Sequence, residues 1–258
     1  MFSENIKNPK VIFSTKCWEN DWKILLKKQF INEIINRNDF DFAKKVLMIN
    51  NVNDVDSIKK LSDELVNKKI IDEYHIVKQY ENEVLKYFNL EKSSFGKGYY
   101  YSIAEMMEIY LYRNCDFLVH FSGDSVMEKK YNWIIPALEI FQNNRDIVVV
   151  NPCWNQKYRE AKKEAIKEFD YYYLGPGFSD QCYMIRLSEF SKQIYNHNHP
   201  SSERYPKYAD NLFEKRVDAW MRNCHKYRAT LKNISYLHKN WTTLSKFSFS
   251  LFNRFKAV

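Results

Sequence analysis

The sequence predicts an α/β fold: a single domain on a mostly parallel central sheet with helices on both faces. Three observations predict it. Short β-rich runs alternate with segments whose apolar residues recur at helical spacing. The β-rich runs are almost continuously apolar, as strands covered on both faces are. The chain is also poor in breakers, with 5 Gly and 6 Pro in 258 residues, and no segment repeats at a fixed period, so long linkers and repeat arrays are excluded. With 45% of residues apolar, one sizeable core can be buried.

The elements follow in order. Residues 11–15 are a short strand, and 19–37 a helix carrying Trp22, Leu25, Leu26, Phe30 and Ile34 at helical intervals. Residues 45–50 repeat the strand pattern. A turn over 51–54 leads into a helix over 55–67 with Ile58, Leu61 and Leu65 on one face, then a third strand over 74–77. A helix over 103–112 feeds an apolar run, 116–121. A helix over 131–142 and a buried strand over 147–150 come next. Runs joined through helices in this way make a parallel sheet. The second half is less regular. Residues 171–180, with Gly175-Pro176-Gly177, read as a loop, 181–185 as strand-like, and 197–208 as a polar connection that is mobile or ligand-facing. Residues 209–222 place Leu212, Phe213, Val217, Trp220 and Met221 at helical spacing, with Glu214 and Asp218 four apart on one face. A strand over 234–237 precedes an aromatic, basic end.

Composition narrows the function classes. Lys and Arg exceed Asp and Glu by 40 to 32, a formal charge of +8, which suits partners bearing phosphate or an anionic membrane surface. The basic residues are dispersed among acids, without the runs that nucleic-acid binding would favour, so no nucleic-acid partner is expected. The cysteines Cys17, Cys115, Cys153, Cys182 and Cys224 are odd in number and form no CxxC pair, which reads as free thiols in a reducing compartment. The histidines at 75, 197, 199 and 225 show no metal-ligand spacing with them. The first ten residues lack a signal-peptide apolar core and no segment has the apolar length of a membrane span, so the expected location is cytoplasmic. The aromatic and basic residues of 242–258 suit peripheral contact with an anionic membrane, or packing onto the domain.

The most informative stretch is Cys115 to Ser125, an apolar run that stops at Ser122-Gly123-Asp124-Ser125. Ligands of open α/β sheets bind beyond the carboxyl ends of strands, which puts Asp124 where chemistry is usually placed. The same four residues also suit a plain turn.

In order of parts the chain resembles the GT-A glycosyltransferases, family-2-like members that move a sugar from a nucleotide-activated donor to an acceptor hydroxyl. The likeness spans roughly 10–241, the expected domain of 1–241. Residues Ser14, Thr15 and Trp18 stand where that family's first strand holds the nucleotide, and Asn50, Asn53 and Asp54 where an acid meets base or ribose. Ser122, Gly123 and Asp124 occupy the place of the DxD motif that holds a divalent ion and the donor diphosphate, with Trp133 heading the helix that follows. Residues 174–180 resemble the glycine-containing acceptor loop, and 213–218 the helix start that carries the base of inverting members. His238 is similarly placed to a late histidine that serves some members as a metal ligand.

The resemblance implies a nucleotide-sugar donor, a glycan or lipid-linked saccharide acceptor, and Mn²⁺ or Mg²⁺ held by Asp124 and His238. Ser122 replaces the motif's first acid. One carboxylate can suffice for such ions, which keep waters and bind substrate phosphates; otherwise cations such as Arg186, Arg204 or Lys239 would neutralise the leaving diphosphate. Glu214 is the first choice of base, with Asp180 and Asp218 as rivals, and a retaining enzyme would need no such base. The implied setting is surface polysaccharide or glycan synthesis. A noncatalytic nucleotide- or glycan-binding protein on the same scaffold is the alternative.

Overall fold

The computed structural model of the chain describes residues 8–207 and 210–238, without the side chains of Lys28 and Gln29. Strand β1 (Val11–Cys17) is followed by the short helix α1 (Trp22–Leu25) and by α2 (Lys28–Asn36). Next come β2 (Lys44–Ile49), α3 (Val55–Asn67), β3 (Glu73–Ile76) and α4 (Glu81–Tyr87). A 3₁₀ segment over Lys92–Tyr101 leads into α5 (Ile103–Tyr112), β4 (Phe117–Ser122) and β5 (Ser125–Met127). Then follow α6 (Ile134–Asn143), β6 (Ile147–Trp154), α7 (Tyr158–Glu164), β7 (Lys167–Glu168), β8 (Tyr172–Gly175) and β9 (Cys182–Arg186). The chain continues through α8 (Leu187–Phe190), a 3₁₀ turn over Pro200–Arg204, α9 (Phe213–Asn223) and β10 (Tyr227–His238).

Among the described residues the strands form one sheet in the order β3-β2-β1-β4-β9-β6-β10-β8-β7, with β5 pairing the far end of β10. Strands β3, β2, β1 and β4 run parallel. Strand β9 lies antiparallel between β4 and β6, so β6 regains the direction of β4, and β10 runs parallel to β6. The mostly parallel sheet expected from the sequence is present at the core, and the reversed β9 is its main departure. The reversal has a simple cause. Strand β8 pairs antiparallel with β10 and ends at Gly175 beside Arg228 near the start of β10, while β9 begins at Cys182 beside Phe121 at the end of β4. The intervening six residues must climb the length of the sheet, a span that only an extended chain covers. That climb delivers Asp180 to the edge where β1 and β4 end.

Period-two alternation in the strands divides the core between the two faces. Phe117, Val119 and Phe121 of β4 pack with Trp22, Leu25, Ile34, Ile58, Ile134 and Phe141 from α1, α2, α3 and α6. Leu118, together with Ile12 of β1, packs on the other face with Val84, Met107, Phe190, Phe213, Val217 and Trp220 from α4, α5, α8 and α9. The single helix expected over 19–37 is two helices, broken where Lys27 is extended (φ −61°, ψ 124°). The break lets Leu25 and Leu26 on one side of it, and Ile31 and Ile34 on the other, bury against the same face. Trp133 is fully buried and donates its indole N–H to Asn38 Oδ1 at 2.7 Å, tying the start of α6 to the end of α2. Residues 171–180, expected as loop, contain β8, which pairs with the two-residue β7 just before it and with β10, more than fifty residues distant; the longer pairing is a signal no local pattern carries.

Candidate active site

The ends of β1 and β4 are neighbours, with Lys16 opposite Ser122. After β1 the chain turns sharply. Trp18 N–H donates to Asp21 Oδ1 at 2.8 Å, and Asp21 and Trp22 N–H both donate to the Trp18 carbonyl. This turn presses on the turn after β4. A Cβ at Gly123 would lie 2.7 Å from the Lys16 carbonyl oxygen and 3.2 Å from Asp21 Oδ2, so only glycine fits there. Ser122 Oγ donates to Asp124 Oδ1 at 2.8 Å and lies 2.8 Å from Ser125 Oγ. Antiparallel pairing of β5 with the end of β10 places His238 opposite Ser125, and His238 Nε2 lies 2.9 Å from Asp124 Oδ2.

That contact raises the His238 pKa: the hydrogen bond to Asp124 outweighs partial burial, and the charges of Asp124 and Asp180 add to it. Asp21 is pushed up to about 7 by burial, with the bond from Trp18 opposing and the charge of Asp124 reinforcing the shift.

A second acidic centre occupies the same edge. Lys16 Nζ is bonded to Glu105 Oε1 of α5 and lies 3.7 Å from Asp180 Oδ2. Asp180 N–H donates to Glu214 Oε1 at 2.7 Å. Glu214 stands in the first turn of α9, where the helix dipole favours negative charge. Burial nonetheless drives its pKa well above the carboxylate range, and the charge of Asp180 drives it further. Below the pair, His120 Nδ1 contacts Glu108 Oε2 at 3.0 Å, and Tyr183 donates to Glu108 Oε1 at 2.7 Å. The side chains of Lys16, Asp124, Asp180 and His238 are 20%, 25%, 23% and 30% exposed, so a ligand at this edge can reach all four.

The structure thus brings Asp124, His238, Ser122, Gly123, Asp180 and Glu214 to one edge and leaves the other sequence candidates outside the two acidic centres. Ser14 and Thr15 lie within β1, fully buried, and their hydroxyls have no hydrogen-bond partner among the described residues. Trp18 is 44% exposed beyond β1. Asn50, after β2, donates its side-chain amide to the Tyr100 carbonyl at 2.7 Å. Asp54 caps α3, accepting from Ser57 N–H. Asp218 lies fully buried one turn beyond Glu214, bonded to Ser202 Oγ and to Arg222 Nε, with Arg204 at 3.5 Å.

Arg186 lies at the opposite end of β9, beside Phe117, bonded to the Phe141 carbonyl. Lys239, Trp241 and the tail of 242–258 lie outside the described residues. Sequence reasoning passed over Lys16, Asp21, Glu105 and Glu108. The signal for three of them was present: a lysine inside a β run, and two glutamates inside the apolar helix Ile103–Tyr112. A polar cleft of about 190 Å³ opens on the flank of α9, lined by Asn196, His197, Asn211 and Lys215 and by no residue of the Asp124–His238 pair.

Asp124 and His238 offer a carboxylate oxygen and an imidazole nitrogen that already converge, a donor set suited to Mn²⁺ with further coordination from water and phosphate. Among the described residues no cluster of three or more His, Cys, Asp or Glu side chains is arranged to hold a metal. The pair fits an ion completed by substrate. No helix among the described residues is long and apolar enough to cross a membrane.

No family model matches the sequence, and no curated protein matches it. Solved structures do. The crystal structure of GalNAc-T7 with UDP, GalNAc and Mn²⁺ is similar with a TM-score of 0.57 at 11% identity, over 91% of this chain and 44% of that one. This chain therefore spans less than half the length of that structure. Mouse xyloside xylosyltransferase 1 in its apo form has a TM-score of 0.45 at 12% identity, over 83% of this chain and 82% of that one. The galactosyltransferase LgtC, in complex with donor and acceptor sugar analogs, has 0.44 at 11%, over 85% and 72%. The chain has the GT-A fold of glycosyltransferases.

Proposed function

We propose that this chain transfers a hexosyl or pentosyl group from a nucleotide-sugar donor to a hydroxyl of a glycan or lipid-linked saccharide, with inversion. One observation carries the reading: two acidic centres, Asp124–His238 and Asp180–Glu214, share the edge at which β1 and β4 end. They suit two separate tasks. The first faces the departing diphosphate, and the second faces the incoming hydroxyl.

In this mechanism the exposed Trp18 and the polar groups of Asn50 and Asp54 border the nucleoside, with Ser14 and Thr15 lining β1 beneath it. Ser122, Gly123 and Asp124 meet the diphosphate, on a turn that the absent side chain of Gly123 lets press against the turn after β1. Mn²⁺ or Mg²⁺ held by Asp124 and His238 would neutralise charge on the leaving group. The acceptor oxygen attacks the anomeric carbon, the bond from that carbon to the phosphate oxygen breaks, and its electron pair leaves with the nucleoside diphosphate. The acceptor proton passes to the Glu214 carboxylate. A base with a raised pKa suits this role, because proton transfer is most effective when the pKa lies near the working pH. Asp180 is adjacent to the base, and Asp218 backs α9 from its buried ion pairs. The setting that fits such a reaction is surface polysaccharide or glycan synthesis on the cytoplasmic side, with membrane contact through the tail of 242–258 where the acceptor is lipid-linked.

Calorimetric titration with nucleoside diphosphates and nucleotide sugars, with and without Mn²⁺, tests the reading. Micromolar binding of one nucleotide, lost in Asp124→Ala, supports it. Absence of binding to every nucleotide overturns it in favour of a different ligand on the same scaffold.

A further inference from the structure

Lys16 is the one cation whose ammonium the described structure places among the acids of the second centre. Its ammonium is bonded to Glu105, whose side chain is fully buried, and lies 3.7 Å from Asp180. Glu214 is next in line, held to Asp180 through the Asp180 N–H. Glu108 draws on His120 and Tyr183 instead. Three carboxyl groups, Glu105, Asp180 and Glu214, therefore share one ammonium in a space that is fully buried at Glu105 and meets solvent at Asp180. Crowding three such groups against a single positive charge raises the proton affinity of the carboxyl least served by it. The ammonium touches Glu105 and Asp180 and not Glu214, which makes Glu214 the last of the three to ionise, and only in its ionised form does it take the acceptor proton.

We propose that Lys16 is a positioning residue that sets its charge against Asp180 and Glu105, leaving Glu214 as the member of the cluster that gives and takes the proton during acceptor activation. The proposal rests on the glycosyl-transfer reading for the identity of the reaction, and on the cluster alone for the placement of the proton. Burial by itself would lower the lysine's proton affinity, yet the charges of Glu105 and Asp180 override it, so the ammonium persists. Glu105 is raised by burial, with Lys16 opposing. The titratable groups facing the cluster are Glu105 and Glu108 from α5, His120 from β4, Tyr183 from β9 and Asp180 from the climbing segment. Tyr205 stands before α9, and Tyr236 and His238 on β10. Among these, Lys16 is the only group whose charge is positive across the whole neutral range. Its location makes the arrangement possible: β1 ends one residue later, so a lysine here reaches across the sheet edge without leaving the strand.

The test is a carboxyl ¹³C NMR titration of labelled protein, with the Glu214 signal assigned by its loss in Glu214→Gln. In Lys16→Met the Glu214 midpoint is expected to rise by about 1 pH unit, the low end of the effect of an opposite charge, because the ammonium acts on Glu214 from across Asp180. Lys16→Arg is expected to keep it near the wild-type value, and the acidic limb of kcat to move with the midpoint. An unchanged midpoint in folded Lys16→Met overturns the proposal. Should Lys16→Met fail to fold, Glu105→Gln serves in its place: removal of a competing carboxylate is expected to lower the Glu214 midpoint, and an unchanged value overturns the proposal equally. A midpoint that moves in a protein with no turnover on any nucleotide sugar supports the role of Lys16 and defeats the glycosyl-transfer reading, so the two fail separately.

Discussion

Asp124 Oδ2 and His238 Nε2 lie 2.9 Å apart although 114 residues separate them. The contact exists because β5, three residues long, turns back from Asp124 to pair with the last turn-free residues of β10. A carboxylate on one strand end thereby acquires an imidazole from the other end of the chain.

If the two groups hold a divalent ion, Mn²⁺ at a hundredfold excess over its Kd should raise the wild-type Tm by roughly 5–10 °C. Asp124→Ala and His238→Ala should each abolish the rise. An imidazole must be neutral to bind a metal, and the His238 pKa is raised. The Mn²⁺ effect should therefore weaken on acidification beginning above the ordinary histidine range. Differential scanning fluorimetry across pH measures it, and an equal rise in both variants would place the ion elsewhere.

Glu214 and Asp218 sit one helical turn apart, yet their surroundings assign them different work. Glu214→Gln should lower turnover by about 10²–10⁴-fold. Because the folded state raises the Glu214 pKa, the stability linked to its protonated form is lost as pH rises through that value; the glutamine variant should hold its Tm better than wild type on the alkaline side. Asp218→Asn breaks a buried carboxylate away from Arg222 and Arg204 and should cost about 3 kcal/mol. Paired kinetic and melting measurements distinguish the two, and an inactive Asp218→Asn of full stability would exchange their roles.

Asp21 supplies an independent pH signature. Its pKa rises from 3.8 unfolded to about 7 folded, so its contribution to stability is complete below the unfolded value and is lost as pH climbs through 7. In the presence of chelator, Asp21→Asn should match wild type in acid and exceed it in Tm above pH 7. Parallel melting curves from pH 5 to 9 that never diverge would contradict the burial of this carboxyl.

Gly123→Ala tests the close approach of the two turns. The added methyl would meet the Lys16 carbonyl at 2.7 Å, backbone that cannot step aside. A cost of about 1–3 kcal/mol is expected from the forced shift, together with weaker nucleotide binding, since the turn carrying Asp124 must move. Unaltered calorimetry and melting would show that the turn yields.

Much of the fold was legible because strand and helix periods are local. The apolar run of β4, the alternation in β1 and the spacing in α3 and α5 each describe a face that must be buried, and the structure buries them. Helix α4, the 3₁₀ segment over Lys92–Tyr101 and strand β8 escaped notice. The first two mix polar residues with aromatics in no clear period, and β8 is held by β10 through pairing rather than by its own pattern. At the edge of the sheet, Asp124 was singled out because it follows the carboxyl end of a buried strand, and Glu214 because residues 213–218 resemble a base-bearing helix start. Lys16 and Glu105 read individually as a misplaced charge in a strand and in an apolar helix. Each makes sense only beside the other.

By itself, the sequence determined that alternating covered strands and helices would bury two apolar layers about a sheet, since periodicity dictates which side of each element must leave water. Tertiary structure alone decided which charged groups meet. The reversed β9 sends Asp180 up to Lys16, the β5–β10 pairing carries His238 to Asp124, and α9 sets Glu214 against Asp180. Charges act over a few ångströms of space regardless of distance along the chain, so the proton affinities of this site belong to the folded arrangement and to no single segment.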